Sequence, residues 1–433
     1  MKKIFLFGVV FLLAGFFVFA GGSNQQKTGS PGAEQVTVKY AFWGSPEALG
    51  VEADIISAFE AQNTGIKIEP VVSGFGDYHT KLLTMIAGGS APDVMRISTQ
   101  YLPDFVNSKG LRDIDKMARE RNYDLTKYYK EGLLDCSIDG VLYGLPWGTA
   151  PIYMIMNMTM FEEAGIPLPS YDWTFDDFLE IAKKISSGTG ADRKYGFAME
   201  IQSDLYPIYP YIWANGGNLL DGSRKNFQLD QPSSYEAIQK IAGLYQGSYM
   251  PPETLITGTQ TASVPTWIIN NKVAMFQGTA AVVLMLQNAG VKFAVYPLPS
   301  GKATSHTTVV KSNTTSISMG TKYPEEAWKF CIFARGDEGE SLYTKAKRVP
   351  PSIDDEKYWD LYLDADKYPK NIKEVTGLIF EKYGNLAPVR RGYLELEQLL
   401  TPLMQNILLG QVTAEQGLKD IRPRAQAILD KNN

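Results

Sequence analysis

The sequence predicts an α/β protein of two lobes, and three observations lead to this prediction. The chain has 433 residues, which is too long for one simple core and fits two domains of ordinary size. Strand patterns alternate with helix patterns over residues 36–110, as in a parallel sheet with helices on both faces. Two apolar runs, residues 141–145 and 152–156, flank a Pro/Gly joint that indicates a crossing between the lobes.

The elements of the first lobe follow one another in the order expected of such a sheet. Alternating apolar residues predict a first strand over residues 36–42. Val51, Ile55 and Phe59 then give the next segment one apolar helical face. The predicted elements are, in order, that strand, a helix ending at Gly65, a strand from Ile66, a helix stopped by Gly88, a strand over residues 92–97 and a short helix ending at Gly110.

The second lobe and the tail are predicted to begin their helices with caps. Thr174 is placed to cap a helix with apolar residues at i, i+3, i+4 and i+7, and residues 238–245 repeat that spacing. The tail predicts two helices. Thr413 and Gln416 form a capping-box pattern at the start of the last one.

The joint between the two apolar runs is the stretch around which the chain is organised. Pro146 is expected to end the first run, because proline cannot continue a central strand. Trp147 and Thr149 lie in the joint, where an aromatic face and a hydroxyl would meet a ligand held between the lobes. An ordinary loop with a core tryptophan remains the alternative.

Composition and charge indicate an exported globular protein that avoids nucleic acid. Lys2 and Lys3 precede an apolar run that ends in small residues, so residues 1–20 are predicted to be a signal peptide and residues 21–35 a flexible leader. Removing the two lysines from the 42 basic residues leaves 40 against 47 acidic ones, a net charge of −7. This balance disfavours nucleic acid and anionic membranes as partners.

The joint and the residues behind it resemble a known family. Residues 140–157, 161–169 and 172–178 are similar to family 1 extracellular solute-binding proteins, the maltose-binding-like receptors of ABC importers. Residues 76–82 with 87–94 are a second likeness. The resemblance implies the two-lobe periplasmic-binding-protein fold, in which each lobe is a mainly parallel sheet flanked by helices and the ligand cleft lies at the hinge.

The resemblance also implies where the chain passes between lobes. Residues 36–149 plus 315–348 would form lobe 1, and residues 150–314 plus 349–433 would form lobe 2. Residues 267–279 resemble a strand of the second lobe. Neither Cys136 nor Cys331 follows the predicted cleavage site, where many such receptors carry a lipid-anchored cysteine, so we expect a free periplasmic protein. Whether these two cysteines form a disulfide stays open.

The candidate ligand-binding residues come from two sources. Loops after the first-lobe strands and the joint supply aromatic and small polar residues, which suit a polyhydroxylated ligand. Those candidates are Trp43, Ser45, Asp77, Gln100, Trp147 and Thr149. The resemblance adds Tyr206, Thr279, Arg390 and Tyr393. Arg390 could grip a carboxylate, so an acidic sugar stays open beside a neutral one.

The sequence predicts a receptor and not an enzyme. His79 and His306 have no partners at metal-ligand spacing, and we expect no catalytic residue, metal or cofactor. The protein is expected to bind a sugar or oligosaccharide as a monomer and to deliver it to the transmembrane subunits of an ABC permease. The alternative is an exported carbohydrate-active enzyme, a lyase or hydrolase, for which Asp77 with Glu200 is the one carboxylate pair to propose.

Overall fold

The computed structural model describes residues 35–44, 46–199, 205–252, 263–301, 303–347, 349–364 and 366–432. The predicted signal peptide, and the predicted leader apart from Gln35, lie outside these residues. The strands are β1 (Val36–Phe42), β2 (Ile66–Val72), β3 (Val94–Ser98), β4 (Ser137–Ile138), β5 (Val141–Leu142), β6 (Leu145–Pro151), β7 (Tyr153–Asn157), β8 (Tyr195–Met199), β9 (Val273–Gly278), β10 (Phe293–Tyr296), β11 (Thr308–Ile317) and β12 (Gly384–Leu386).

Helices connect and cover these strands. They are α1 (Pro46–Gln62), α2 (Phe75–Ala87), α3 (Leu102–Asn107), α4 (Ile114–Glu120), α5 (Lys130–Asp135), α6 (Met158–Ala164), α7 (Phe175–Ile185), α8 (Tyr209–Ala214), α9 (Pro232–Gln246), α10 (Ser263–Ile269), α11 (Ala280–Asn288), α12 (Pro324–Arg335), α13 (Asp337–Lys345), α14 (Glu356–Tyr362), α15 (Ile372–Leu378), α16 (Tyr393–Leu408) and α17 (Ala414–Lys431). Short 3-10 turns occupy Thr99–Tyr101 and Gly190–Asp192, and Ile379–Tyr383 is a π-helical turn.

The first large sheet has the order β12-β11-β3-β1-β2, and β6 pairs with β11. β1 lies parallel to both β2 and β3, as the alternation of strands and helices predicts. β11 runs antiparallel to β3 and to β6, so the sheet is mixed on that side. The three strands at the start of the chain therefore bring their carboxyl ends to one edge.

The second large sheet has the order β10-β7-β9-β8 and is mainly antiparallel, unlike the expectation for this lobe. β8 and β9 run parallel, joined through a long connection that includes α8, α9 and α10. β7 is antiparallel to both of its neighbours. β7 follows directly from β6 of the first sheet, so this short link carries the chain from one sheet to the other. The two sheets give the predicted two-lobe α/β fold.

Two strand boundaries differ from the sequence prediction for identifiable reasons. β6 runs through Pro146 instead of stopping there, because β6 is an edge strand that pairs with β11 alone among the described strands. An edge strand tolerates the missing N–H of proline. The predicted strand from Trp267 is helical as far as Ile269, and β9 begins only after a turn in which Asn271 has a φ of +54°.

The predicted helix caps are present, one of them in part. Thr174 accepts a hydrogen bond from the Asp177 N–H, and the Asp177 carboxylate accepts one from the Thr174 N–H, which completes a capping box. Thr413 accepts from the Gln416 N–H. The Gln416 amide instead donates to Asp420 at 2.8 Å, so this box is half formed.

A shared core joins the two lobes. Met95 and Ile97 of β3, Ile152 at the crossing and Phe197 of β8 belong to one cluster of buried side chains. Cys136 and Cys331 are buried in a second cluster beside the first sheet and form no disulfide. Of the helices in the described part of the chain, none is long and apolar enough to span a membrane.

Candidate functional site

A cavity of about 260 Å³ lies where the chain crosses between the sheets. Trp43 follows β1 and Ser98 ends β3, so the shared edge of parallel strands brings both residues to this place. Most of the remaining wall comes from the strands at the crossing, β6 and β11, and from the start of α11. Phe75 of α2 and Val349 complete it. The lining residues are Trp43, Phe75, Ser98, Trp147, Gly148, Ala150, Pro151, Ile152, Thr279, Ala280, Ala281, Lys311, Asn313 and Val349.

A bulge in the crossing strands shapes the cavity floor. β6 and β11 pair Trp147 with Asn313 and Ala150 with Lys311, with a break in register between the two pairs. Two residues of β6 therefore face one residue of β11, and Gly148 takes a φ of +64°. A bulge with glycine in this conformation bends the strand and redirects neighbouring side chains. The bulge lies at the point where β6 and β11 both line the cavity.

The two tryptophans of the cavity share one buried arginine. The guanidinium carbon of Arg96 lies 4.1 Å from the ring centroid of Trp147 and 5.5 Å from that of Trp43. Its Nη1 donates a hydrogen bond to the Trp43 carbonyl at 2.9 Å. Trp43 also packs against Phe75, with ring centroids 5.4 Å apart. These contacts hold both indole rings at the cavity wall.

Arg96 itself belongs to a charged cluster inside the first lobe. Glu52, Arg96 and Arg335 are each at most 1% exposed, and Glu52 forms ion pairs with both arginines. The hydroxyls of Tyr40 and Tyr343 accept further guanidinium hydrogen bonds. Buried charges of this kind are tolerated when they are paired and hydrogen-bonded. The cluster fixes Arg96 behind the cavity.

Lys311 supplies a cationic group to the cavity. Its ammonium donates to the Gln100 side-chain carbonyl at 3.4 Å and lies 4.3 Å from the ring centroid of Tyr206. No carboxylate of the described residues lies within 4.0 Å of it. The cavity thus combines aromatic faces with one cation, a serine hydroxyl and an asparagine amide.

Two titratable groups behind the cavity have shifted pKa values. Burial raises the pKa of Asp135 to about 6, although hydrogen bonds from the Thr99 hydroxyl and the Ser312 N–H favour its charged form. Burial lowers the pKa of His79 to about 3, and the charge of Lys311 adds to this effect. His79 is therefore neutral and accepts the Ser98 N–H at its Nε2, at 3.0 Å.

Three of the predicted ligand residues line the cavity. Trp43 and Trp147 are half-buried at its wall, and Thr279 is exposed at its rim, at the N-cap position of α11. Ser45 lies outside the described residues. Lys311 and Phe75 also line the cavity but are not among the predicted ligand residues, although the sequence predicts a lobe crossing near Lys311 and a loop at Phe75.

Three more predicted residues lie just behind the wall. Thr149 is fully buried, and its hydroxyl shares a hydrogen bond of 2.9 Å with that of Ser312 on the neighbouring strand. Gln100 is also fully buried and supports Lys311. Tyr206 is 4% exposed beneath the same ammonium. None of these three lines the cavity.

The remaining three predicted residues have other contacts. Asp77 points to solvent from α2 and forms an ion pair of 2.5 Å with Lys81 one turn later. Arg390 donates to backbone carbonyls of the last helical turn of the chain, at Leu429 and Asn432. The buried hydroxyl of Tyr393 forms a hydrogen bond of 2.8 Å with the hydroxyl of Tyr209. The structure brings none of them to this cavity.

The site has the features of a binding pocket and lacks those of a metal centre. In the parts of the chain that the structure describes, no three His, Cys, Asp or Glu side chains are grouped closely enough to hold a metal ion. Of the carboxylate pair considered for an enzyme, Asp77 faces solvent from α2, and Glu200 lies outside the described residues.

Comparisons with known proteins agree with this architecture. A model of the bacterial extracellular solute-binding protein family matches residues 44–341. A protein of Brucella abortus described as a binding protein is 27% identical over 97% of this chain and 98% of its own. The arabinooligosaccharide-binding protein of Halalkalibacterium halodurans is 23% identical over 91% of this chain and 88% of its own.

Solved structures share the fold. The ABC substrate-binding protein of Listeria monocytogenes in complex with cycloalternan has a TM-score of 0.79 at 22% identity, over 92% of this chain and 98% of that one. The maltose-bound MalE3 of T. maritima has a TM-score of 0.76 at 19% identity, over 91% and 100%. The matched family and these structures are binding proteins, not enzymes.

Proposed function

The chain belongs to the bacterial extracellular solute-binding protein family. From this premise we propose that it is the receptor of an ABC importer. In this proposal it binds a sugar or oligosaccharide between two hinged lobes and delivers it to the permease. The observation that carries the proposal is the cavity at the crossing strands, where two tryptophans and several hydrogen-bonding groups converge.

The chemistry of this cavity matches that of a carbohydrate. The C–H faces of a sugar ring are apolar and pack on the rings of Trp43, Trp147 and Phe75. Sugar hydroxyls both donate and accept hydrogen bonds, as do the hydroxyl of Ser98 and the amide of Asn313. A concave, mainly apolar site with a few polar groups is typical of small-ligand pockets.

We further propose that ligand binding closes the two lobes. Lobe 1 would comprise residues 36–149 and 315–348, and lobe 2 residues 150–314 and 349–433. Trp43 then belongs to lobe 1 and Thr279 to lobe 2, so a ligand in the cavity contacts both. A ligand that contacts both lobes stabilises the closed form over the open one.

The related proteins support a sugar as the ligand. Cycloalternan is bound to the Listeria protein and maltose to the T. maritima protein. The Halalkalibacterium relative is described as binding arabinooligosaccharides. For this chain we propose the ligand class, a sugar, and none of these sugars in particular.

The proposal includes the setting in which the receptor works. We place it outside the cytoplasm, in the periplasm, because its family is extracellular and its first 20 residues have a signal-peptide pattern. It would act as a monomer without catalytic activity. The position of Asp77 supports binding over hydrolysis, because a glycosidase needs two carboxylates facing one cleft.

A thermal-shift screen tests the proposal. The purified protein would be heated with mono- and oligosaccharides, neutral and uronic, and with amino acids as a second ligand class. We expect a saturable rise in Tm with at least one sugar and no cleavage products on chromatography. A rise with amino acids alone would contradict the sugar assignment. Turnover of the bound sugar would favour the carbohydrate-active enzyme.

A further inference from the structure

Three hydroxyl-bearing residues lie at the three places where the chain passes between the proposed lobes. Thr149 of β6 precedes the first crossing, Ser312 of β11 precedes the second, and Ser352 follows the third. All three are fully buried. The Thr149 hydroxyl shares a hydrogen bond of 2.9 Å with that of Ser312, and the Thr149 N–H donates to the Ser352 hydroxyl at 3.2 Å. These bonds join the three crossings to one another.

A buried carboxyl group of lobe 1 lies at each end of this row of hydroxyls. Asp135 of α5 accepts the Ser312 N–H at 2.7 Å, and Glu340 of α13 accepts the Ser352 N–H at 2.6 Å. In the proposed division both serines belong to lobe 2. Each carboxyl therefore binds a backbone N–H of the other lobe beside a crossing, where a hinge motion changes the backbone angles.

Both carboxyls change their charge between mildly acidic and neutral pH. Burial raises the pKa of Asp135 to about 6 and that of Glu340 to about 7. The charge of Lys311 favours the ionised form of Asp135. Arg335 favours the ionised form of Glu340, and Asp337 opposes it. The other titratable groups that face the two carboxyls have pKa values raised by burial and are neutral in this range. They are Cys136, Tyr128 and Tyr129.

The proposed lobes are in contact across the cleft in this structure. The Tyr101 hydroxyl donates to the Glu397 carboxylate at 2.9 Å, and the Asp104 carboxylate accepts the Gly392 N–H at 2.6 Å. The first residue of each pair that follows the chain order belongs to lobe 1 and the second to lobe 2. The serine N–H groups are therefore bound by the two carboxyls in an arrangement that has the lobes together.

We propose that the crossings form a proton-linked hinge, in which ionised Asp135 and Glu340 stabilise the closed form and their protonation favours the open one. This inference rests on the proposed function and its division into lobes. The helices that carry the two carboxyls pack within lobe 1, α13 on α1 and α12, and α5 on β6. Opening would thus remove the N–H donors from lobe 2 and leave the carboxyls buried.

The sign of the effect follows from these hydrogen bonds. An N–H that donates to a carboxyl favours its ionised form, so each pKa should be lower in the closed form than in the open one. Closure then releases protons, and the closed share rises as the pH increases from about 5 to about 8. A sugar that stabilises the closed form should accordingly bind more tightly at the higher pH.

Small-angle scattering of the unliganded protein tests the hinge without a sugar. We expect the radius of gyration to fall between about pH 5 and pH 8. Asp135→Asn combined with Glu340→Gln keeps a carbonyl acceptor for each serine N–H and removes both charges, so its radius should not vary with pH. Asp124→Asn makes the same change at an exposed carboxyl of lobe 1 and should behave as the wild type does. A constant wild-type radius, or a pH dependence that persists in the double variant, would overturn the hinge.

Calorimetry with maltose and with arabinobiose adds a measurement of the protons themselves. Phosphate and imidazole buffers differ in ionisation enthalpy, so the binding enthalpy in each gives the number of protons released. For a sugar that binds, we expect proton release near pH 6.5 and an affinity about fivefold or more lower at pH 5 than at pH 8. Both effects should disappear in the double variant. Binding without proton release would overturn the hinge and leave the proposed function standing.

Two further outcomes are decided by the same measurements. If neither sugar binds, the proposed function fails for these sugars, and scattering alone decides the hinge. Thermal unfolding at each pH checks that the variants are folded. If the double variant is not, Asp135→Asn takes its place and should lose part of the pH dependence, and an unreduced dependence would contradict the role of Asp135.

Discussion

The guanidinium of Arg96 lies 4.1 Å from the centre of the Trp147 ring, although Trp147 faces the cavity and Arg96 is 1% exposed. A charge inside the first lobe thus determines where a ring of the binding wall lies. Glu52 balances that charge from α1, and Tyr343 hydrogen-bonds it from α13. Folding of the first lobe and the shape of the cavity therefore depend on the same side chain.

Replacing Arg96 should destabilise the protein strongly. Arg96→Met leaves the buried Glu52 carboxylate with one guanidinium in place of two, and breaking a buried ion pair typically costs about 3–5 kcal/mol of unfolding free energy. Arg121→Met is the control, because Arg121 pairs with Glu325 near solvent, where the loss is about 0–1 kcal/mol. Urea unfolding measures both. Adding Glu52→Gln to Arg96→Met should destabilise the protein further, because Glu52 is the carboxylate that pairs with the buried Arg335. Equal effects of Arg96→Met and Arg121→Met would contradict a structural role for the buried cluster.

Removing the Trp147 ring should weaken sugar binding. Trp147→Ala is expected to lower the binding free energy by about 1–3 kcal/mol, the contribution of a well-packed aromatic side chain. Trp267→Ala serves as the control, because Trp267 is also half-buried but packs on Tyr195 away from the cavity. Calorimetry with the sugar identified in the screen measures both variants. Unchanged affinity in Trp147→Ala would remove this residue from the site.

The sequence predicted the parts of the site that depend on backbone position. Trp43 and Trp147 could be placed because one follows a strand of a parallel sheet and the other lies in the joint between apolar runs. The exposed position of Asp77 could have been predicted, because Lys81 lies four residues later on the same helix and forms an ion pair with it. The wall supplied by Lys311 needs the bulge between β6 and β11, which pairs residues far apart in the chain.

Two predicted residues lie away from this cavity for a shared physical reason. Arg390 and Tyr393 precede or begin α16, and their side chains turn toward the last helix and toward Tyr209. The direction of a side chain at a helix start depends on what packs against it, which a single sequence does not specify. Strand direction in the second sheet could not be predicted for a related reason. β7, β8 and β9 are buried along their whole length, which gives this mainly antiparallel sheet the continuous apolar runs typical of parallel strands.

Closure of the two proposed lobes should be measurable by small-angle scattering. In the proposed division, α3 lies in lobe 1 and α16 in lobe 2. The Asp104 carboxylate accepts the N–H of Gly392 at 2.6 Å and that of Leu394 at 3.4 Å, which ties α3 to the start of α16. We expect a smaller radius of gyration with saturating sugar than without it. Asp104→Ala should enlarge the unliganded protein and weaken all sugars by a similar factor. Superimposable scattering curves with and without ligand would argue against hinge closure.

The buried Asp135 should make stability depend on pH in a defined direction. Its pKa is about 6 in the folded protein, and an unfolded aspartate has a pKa of about 3.9. At pH values between these two pKa values, Asp135 is protonated in the folded protein and ionised in the unfolded one. The stability linked to this proton is fully present below about pH 4 and is lost as the pH rises through about 6.

Asp135→Asn mimics the protonated carboxyl and removes this dependence. Relative to the wild type, we expect the variant to gain up to about 3 kcal/mol between pH 4 and pH 8, since each unit of pKa shift corresponds to about 1.4 kcal/mol. Urea unfolding at intervals across this range measures the difference. Asp124→Asn is the control, because hydrogen bonds from Thr126 hold the pKa of that exposed carboxyl below its usual value. Parallel pH profiles for the wild type and Asp135→Asn would contradict the assignment.

The charge of the ligand should depend on Lys311 and not on Arg390. Lys311 lines the cavity, and no carboxylate of the described residues lies within 4.0 Å of its ammonium. We therefore expect Lys311→Met to lower the affinity for a galacturonic acid disaccharide by about 1.5–3 kcal/mol, the value of a hydrogen bond to a charged group. The neutral galactose disaccharide should lose less than the acidic one, because its hydroxyls bring no negative charge to the Lys311 ammonium. Arg390→Gln is the matched control and should change neither, because its guanidinium donates to carbonyls of the last helical turn. Calorimetry with both sugars and both variants distinguishes the role of Lys311 from that of Arg390. A loss of acidic-sugar affinity in Arg390→Gln alone would show that Arg390, and not Lys311, binds the carboxylate.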